Sequence, residues 1–354
     1  MPRCFLFKPD GIGDFFISTG AVRLMAREFG EENLVISVLP VLEPVVRGQF
    51  PKATLIALPI LKKRIFLNLF VANCLRCFLP WRSLRGVRAD VSISLRHMRD
   101  YLMNVLFYST PAKKRIVVEN LLLGNGRPVR RWTEKVFTRI FRPEILEYPD
   151  AEENVPRELE ANRRLAVAAL GRDVGIREIW PELKPVGESL IESPYWVCAP
   201  FANGEGKDFP TERWVEFLAA LRERGLLPQL LLTGSGEQRA RLESFLVRIR
   251  NASPGMADDA RVLIPANLQD FIDLLAGAGC VLTVDTAAAH AATALDCRTL
   301  VLFSGQHQGT YGPWVRSDRQ CWILPKESDG GGPWHAAHTT GELLAAAEGI
   351  LTGP

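Results

Sequence analysis

The chain has 354 residues, 47% hydrophobic and 23% charged, which excludes a disordered or fibrous protein and leaves room for two domains with cores of their own. No apolar run reaches the roughly 18 residues a membrane-spanning helix needs, the N-terminus lacks a signal-peptide pattern, and seven scattered cysteines fit reduced thiols, so a cytosolic protein is expected. The net charge of +3 hides an asymmetry: residues 1–150 carry 24 Lys and Arg against 13 Asp and Glu, residues 151–354 carry 19 against 27, and within 62–142 the balance is 18 to 4.

Along the chain, short β-branched runs alternate with helical periods, the signature of βαβ units and parallel sheets. Strands are predicted at 4–7, 34–38, 54–58 and 91–95, with a shorter one at 116–118, and a helix near 14–29 follows the first. The stretch 124–131 is loop-like, 143–156 fits neither period, and 159–170 returns to helical spacing. A passage rich in Pro, Glu and Gly then has the composition of a linker. It divides the chain into a domain over 1–180, a linker over 181–194 and a second domain over 195–354.

In the second half, strands are predicted at 195–199, 229–233, 262–264, 281–284 and 299–303. Helices are predicted from Thr211, taken as an N-cap, and at about 237–250, 268–276, 286–295 and 341–351. The last of these could turn back to pack on the first domain.

Four strand-to-helix turns carry chemistry-bearing residues, and open α/β sheets bind ligands at such turns. The first is Lys8-Pro9-Asp10-Gly11-Ile12-Gly13-Asp14. It is not a dinucleotide fingerprint, because Phe16 stands where the third glycine belongs. Asp14 there either caps the helix or acts as a base; a helix start stabilises the anion, so a base would need desolvation or a second charge. The second turn, 201–210, contains glycines and Lys207, which could hold a phosphate or simply be solvated. The third, Thr233-Gly234-Ser235-Gly236-Glu237, sets an acid where ribose hydroxyls bind or where a helix is capped.

The fourth turn, Asp285-Thr286-Ala287-Ala288-Ala289-His290, is the most informative. An acid, a hydroxyl and small residues enter a helix whose free N–H groups and dipole favour a diphosphate. His290 lies one turn beyond Thr286 on the same face, either packed in the core or part of the site. Neither a P-loop nor a G-x-S-x-G elbow is present, which argues against phosphatase and hydrolase chemistry.

In this order, 8–14 with the following Phe15-Phe16-Ile17-Ser18-Thr19-Gly20-Ala21, then 207–214, Thr233-Gly234, Asp285-Thr286 with His290, and Leu302-Phe303-Ser304-Gly305 resemble glycosyltransferase family 9. Its best-known members are ADP-heptose:lipopolysaccharide heptosyltransferases, and the resemblance covers nearly the whole chain. It implies an α/β protein of GT-B fold, two Rossmann-like parallel-sheet domains facing across a cleft. It also implies inverting transfer of heptose, or a related sugar, from an ADP-linked donor to lipopolysaccharide or another cell-envelope glycan, with no catalytic metal and no cofactor. Asp14 would be the general base, with Lys8, Gly11 and Gly13 in the acceptor-side loop. Lys207 would balance donor charge, Glu237 would bind ribose, Asp285 would hold sugar hydroxyls, and Thr286 with the amide of Ala287 would bind the diphosphate, supported by His290.

Three departures bear on donor and acceptor: Ala287 replaces the family's usual glycine, Pro9-Asp10-Gly11 stands where serines are frequent, and Gly20 stands where proline is common. A sugar-nucleotide epimerase and a catalytically silent sugar-nucleotide-binding protein are the alternatives. The basic segment containing Lys62, Lys63, Arg64, Arg82 and Arg85 mixes cations with aromatics. It suits an anionic glycolipid acceptor and peripheral contact with the cytoplasmic face of the inner membrane, or it is an ordinary solvated helix face. Nucleic acid is disfavoured by the acidic second half.

Overall fold

The structure, a computed structural model, describes residues 2–60, 75–121, 128–151, 155–187, 191, 194–204, 206–256, 258–326 and 333–352. Its compact units are Met1–Glu152 with Arg157–Pro181, and Glu182–Pro354 with Glu153–Pro156.

The first unit runs β1 (Cys4–Phe7), α1 (Ile12–Phe29), β2 (Leu34–Val38), α2 (Glu43–Gln49), β3 (Thr54–Ala57), α3 (Phe78–Gly86), β4 (Ala89–Ser94), α4 (Tyr101–Tyr108), β5 (Ala112–Val118), α5 (Pro128–Phe141), β6 (Glu144–Leu146) and α6 (Arg157–Leu170). Its six strands are parallel in the order β3-β2-β1-β4-β5-β6. β1 and β2 are buried along their whole length, which is why they show as continuous apolar runs without alternation.

The chain builds from β1 to β3 toward one edge, then returns and builds from β4 to β6 toward the other. Right-handed crossovers therefore put α1 and α2 on one face and α3, α4 and α5 on the opposite face. The core under the second layer joins Phe5, Phe7 and Val35 to Leu84 of α3 and to Met103 and Phe107 of α4, with Phe137 and Phe141 of α5 packed against them. α6 packs on α1, and α1 also lies on the turn Ile176–Ile179. Gly20 makes that second approach possible, because a Cβ there would stand 2.0 Å from the Ile179 carbonyl oxygen.

The second unit runs β7 (Tyr195–Ala199), α7 (Thr211–Glu223), β8 (Gln229–Leu232), α8 (Arg239–Ala252), β9 (Ala260–Val262), α9 (Leu268–Ala276), β10 (Cys280–Val284), α10 (Ala287–Ala294), β11 (Thr299–Leu302), β12 (Gln320–Ile323) and α11 (Thr340–Thr352). This sheet is also parallel, in the order β12-β11-β10-β7-β8-β9. α11 lays Leu343, Leu344, Ala347 and Ile350 into the core and packs on α7, β11 and β12. Both sheets thus reverse direction once, between β1 and β4 and between β7 and β10. Ligands of open α/β sheets bind beyond the strand ends at such points.

Some predicted elements differ. Residues 128–131, expected as loop, open α5, with Pro128 at its first position where a missing N–H costs nothing. Thr211 is the first helical residue rather than the N-cap, which is Pro210. α8 begins at Arg239, after a 3-10 turn over Gly236–Gln238. β6 and β12 were not predicted. Among the described residues no helix is long and apolar enough to cross a membrane.

Candidate active site

At the switch point of the first unit, β1 delivers Lys8 and β4 delivers Arg96 and His97. Lys8 is completely buried; its Nζ donates to the Leu95 carbonyl at 2.8 Å and to Glu158 Oε1 at 2.7 Å, with Asp10 at 3.5 Å. Glu158 arrives from α6, also buried, and its other oxygen lies 3.3 Å from His97 Nε2. Burial opposes the Lys8 cation, but the charges of Glu158, Asp10 and Asp14 outweigh it and raise the Lys8 pKa. Burial opposes the Glu158 carboxylate too, yet His97 and Lys8 hold its pKa down to about 2. Two charges this deep are tolerable only because each satisfies the other. Arg96 fixes the loop from outside, donating to the Pro9 carbonyl at 2.8 Å and to the Asp10 carboxylate.

Asp14 sits on this braced loop as the third residue of α1, half-buried, and its Oδ2 accepts from the Gly11 N–H at 3.0 Å. A Cβ on Gly11 would come within 2.6 Å of that oxygen, so the close approach requires glycine. Gly13 is the second residue of α1. A helix N-terminus favours the carboxylate, the form that can take a proton. Nearby, Tyr148 rests its ring 5.5 Å from that of His97, and its buried hydroxyl has no hydrogen-bond partner among the described residues. Burial and the Glu158 charge raise its pKa, so it stays a neutral phenol able to donate.

The second unit repeats the plan with different chemistry. The loop after β7 brings Lys207 and the end of β10 brings Asp285, which meet at 2.8 Å between Nζ and Oδ2. Asp285 is only 5% exposed, whereas Lys207 keeps a fifth of its surface open. Asp208 ties the loop down, accepting from the Ala202 N–H at 2.7 Å and from Arg241 Nη2 at 2.6 Å. Trp334 donates to the Gly206 carbonyl at 3.0 Å, and Gly206 has the positive φ of +77° that this turn needs.

Thr286 caps α10, its Oγ1 accepting from the Ala288 N–H at 3.2 Å, and Ala287 opens the helix half-buried. The remaining first-turn N–H groups have no intrahelical acceptor, so the turn is suited to an anion. His290 is buried with its ring parallel to Trp314, and Trp314 Nε1 donates to its Nδ1 at 3.1 Å. An indole N–H can only donate, so Nδ1 is the bare nitrogen and Nε2 carries the proton. Burial pushes the His290 pKa down to about 4, against Asp285 and with Lys207, so the ring is neutral at physiological pH. It therefore contributes shape and an N–H, not charge.

The sequence profile described as glycosyltransferase family 9 (heptosyltransferase) matches residues 135–329, more than half of the chain. The chain belongs to glycosyltransferase family 9. Lipopolysaccharide heptosyltransferase 1 of Pseudomonas aeruginosa is 32% identical over 125 residues, covering 35% of this chain and 33% of that protein. The matched segment thus spans about a third of that relative's length. Across the whole chain the fold is similar to E. coli ADP-heptose lipopolysaccharide heptosyltransferase II, with TM-score 0.71, 17% identity and coverage of 99% of this chain and 98% of that one. It is also similar to E. coli heptosyltransferase WaaC with ADP, with TM-score 0.67, 15% identity and coverage of 98% and 99%. At those identities the likeness is one of fold: this family 9 chain has the GT-B architecture that the resemblance implied. The profile match includes Lys207, Glu237, Asp285, Thr286, Ala287 and His290 but begins after Asp14.

The structure gathers Asp14 with Gly11, Gly13 and the buried Lys8 in one unit, and Lys207 with Asp285, Thr286, Ala287 and His290 in the other. Glu237 stands apart, exposed on the 3-10 turn. Capping of that turn falls to Gln238, which accepts from the Ser235 N–H at 3.0 Å and donates to the Phe201 carbonyl at 3.3 Å. Glu237 is left to solvent. Arg82 and Arg85 are exposed on α3, with Arg85 over the Trp81 ring, while Lys62, Lys63 and Arg64 lie outside the described residues. No cluster of three or more His, Cys, Asp or Glu is arranged for a metal among the described residues. Sequence reasoning missed Arg96, His97, Tyr148, Glu158 and Trp314. Arg96 and His97 follow a predicted strand, so they could have been found had the strand order been known.

Proposed function

We propose that this chain is an inverting, metal-independent glycosyltransferase that moves heptose, or a related sugar, from an ADP-linked donor to a lipopolysaccharide or other cell-envelope glycan at the cytoplasmic face of the inner membrane. Asp14 takes the proton of the acceptor hydroxyl as its oxygen attacks the anomeric carbon. The bond from that carbon to the diphosphate breaks on the opposite side, ADP leaves, and the configuration inverts. Lys207 and the first turn of α10 stabilise the charge arriving on the diphosphate. Asp285 and Glu237 hold sugar and ribose hydroxyls, His290 supports the turn, and Lys8, Gly11 and Gly13 shape the acceptor side.

The observation that carries this proposal is the pairing of Lys207 with the buried Asp285 beside the Thr286-capped start of α10. A cation held at an anion-binding helix start, with an adjacent carboxylate for hydroxyls, matches the chemistry of a diphosphate-linked sugar. Support for ADP and heptose comes from the relatives named above, one of which is described with ADP.

The test is a thermal-shift and calorimetry panel of ADP-, UDP- and GDP-sugars, followed by incubation of the best donor with and without a lipopolysaccharide-type acceptor. A donor that binds N alone raises the midpoint by mass action. ADP-sugars are expected to stand out, and ADP to be released only with acceptor present. Conversion of the donor without acceptor would replace the transferase with an epimerase, and binding without turnover on any acceptor would leave a silent binding protein.

A further inference from the structure

The four most exposed large hydrophobic side chains among the described residues are Leu75 at 73%, Leu79 at 71%, Trp132 at 66% and Ile140 at 64%. All four belong to one layer of the first unit: Leu75 just ahead of α3, Leu79 on α3, and Trp132 and Ile140 on α5. Phe78, more than half exposed, and Tyr101 at the start of α4 add two rings to the same layer. Topology places α3, α4 and α5 together on the face opposite α1 and α2, and their inward residues share one core.

Outward-facing cations accompany these side chains: Arg76, Arg82 and Arg85 on or beside α3, and Lys135 and Arg139 on α5. α3 and α4 contain no acid. The acid of α5, Glu134, is turned inward and buried, accepting from Arg99 Nη2 at 3.2 Å, Asn104 Nδ2 at 2.6 Å and Asn120 Nδ2 at 3.0 Å. The opposite layer behaves differently. There Arg163 and Arg164 pair with Glu160, and Arg172 pairs with Glu28 and Glu178, so charge is balanced at the surface.

We propose that the α3–α4–α5 layer is a docking face for an anionic lipid bilayer, with Leu75, Phe78, Leu79, Trp132 and Ile140 entering the headgroup boundary and the flanking Arg and Lys side chains meeting lipid phosphates. Exposed leucine, phenylalanine and tryptophan interleaved with Arg and Lys, with no outward acid within α3, α4 or α5 and only the half-exposed N-cap Asp100 beside them, is the composition of an interfacial membrane contact. Each cation near an anionic surface adds attraction that salt screens. A protein partner would need acids in register with five separate cations, whereas a lipid surface supplies negative charge everywhere. The proposal deepens the transferase reading and rests on it only for choosing a bilayer that carries the acceptor.

The test is co-sedimentation of the full chain with phosphatidylcholine vesicles, with and without phosphatidylglycerol. Binding is expected only to the anionic vesicles and to weaken strongly at 0.5 M salt, about the level at which surface charge is screened within a few ångströms. The double variants Leu79→Ser/Trp132→Ser and Lys135→Ser/Arg139→Ser are expected to lower vesicle partitioning by about tenfold or more each. Donor affinity and transfer to a soluble, lipid-free acceptor fragment should stay at wild-type values in both, which excludes misfolding. Wild-type protein that ignores anionic vesicles, or variants that bind them as tightly as wild type, would overturn the proposal. Self-association that the variants abolish, with no vesicle binding, would overturn it in favour of a second copy. Vesicle binding that the variants weaken, with no transfer to any acceptor, would instead remove the transferase and leave the docking face standing.

Discussion

Asp14 and Asp285 stand on different sides of the point where each sheet reverses direction: Asp14 is in the helix after the first strand of its unit, and Asp285 directly follows the fourth strand of its own. Their surroundings differ. In the first unit Lys8 and Glu158 satisfy each other in the interior, with His97 Nε2 3.3 Å from the second Glu158 oxygen, and Asp14 accepts from Gly11 on the loop that this pair braces. Asp285, by contrast, is a member of its pair, bonded directly to a Lys207 that is still partly open. A carboxylate beside such a pair fits the base role proposed for Asp14. A carboxylate sharing a cation is placed for binding a hydroxyl while that cation meets a phosphate. These different surroundings support the proposal of a base role for Asp14 and a binding role for Asp285.

The largest expected effect comes from breaking the cluster under Asp14. Glu158→Gln leaves the Lys8 cation buried without its carboxylate and is expected to cost the first unit about 3–5 kcal/mol. Urea unfolding followed by hydrogen exchange in β1 and β4 would measure it, and the double change Lys8→Met/Glu158→Leu should restore much of the loss. A loss below about 1 kcal/mol for Glu158→Gln would show that the pair does not brace the loop.

A smaller effect is expected in the other unit. Lys207→Ala and Asp285→Asn should each weaken the ADP-linked donor by about 10- to 100-fold, the value of a charge-assisted contact. Together they should cost less than the sum of the two, because they share a bond. Additive losses in calorimetry would mean that the two residues bind the donor independently.

A further effect separates the units by pH. His290 has a folded pKa near 4 against an unfolded value near 6.5. The unfolded chain therefore binds more protons through that window, and stability of the second unit falls as pH drops from about 6.5 to 4. Glu158, lowered from 4.5 to about 2, gives the first unit stability that is fully present above about pH 4.5 and lost below it. Acidification should accordingly loosen α10 and β10 before β1 and β4, as read by hydrogen exchange. His290→Gln should flatten the earlier phase; an unchanged profile would remove His290 as its source.

Much of this was legible in the sequence. Fully buried strands such as β1, β2, β7 and β10 announce themselves as apolar runs, and the four turns follow from where those runs stop. Strands β6 and β12 are interrupted at their starts by the polar Glu144 and Gln320 and lack a long apolar run, and α4 is apolar on nearly every side, so neither kind stands out. Lys8 was legible as a loop residue but not as a buried one, because its partner Glu158 lies 150 positions away and only tertiary contact joins them. Glu158 itself sits in a charged stretch of α6 whose composition looks like a solvated face. The capping alternative for Glu237 was likewise undecidable until Gln238 was seen to bond Ser235.

The central claim is the division of labour between the two acids, and Asp14→Asn tests it most directly. Single-turnover transfer should be followed at saturating donor alongside calorimetric donor affinity in the same variant. The expected result is wild-type donor binding with the transfer step slowed by about 10²- to 10⁴-fold, the usual worth of a general base. Transfer at the wild-type rate, or a loss of donor affinity that accounts for the whole defect, would contradict the account.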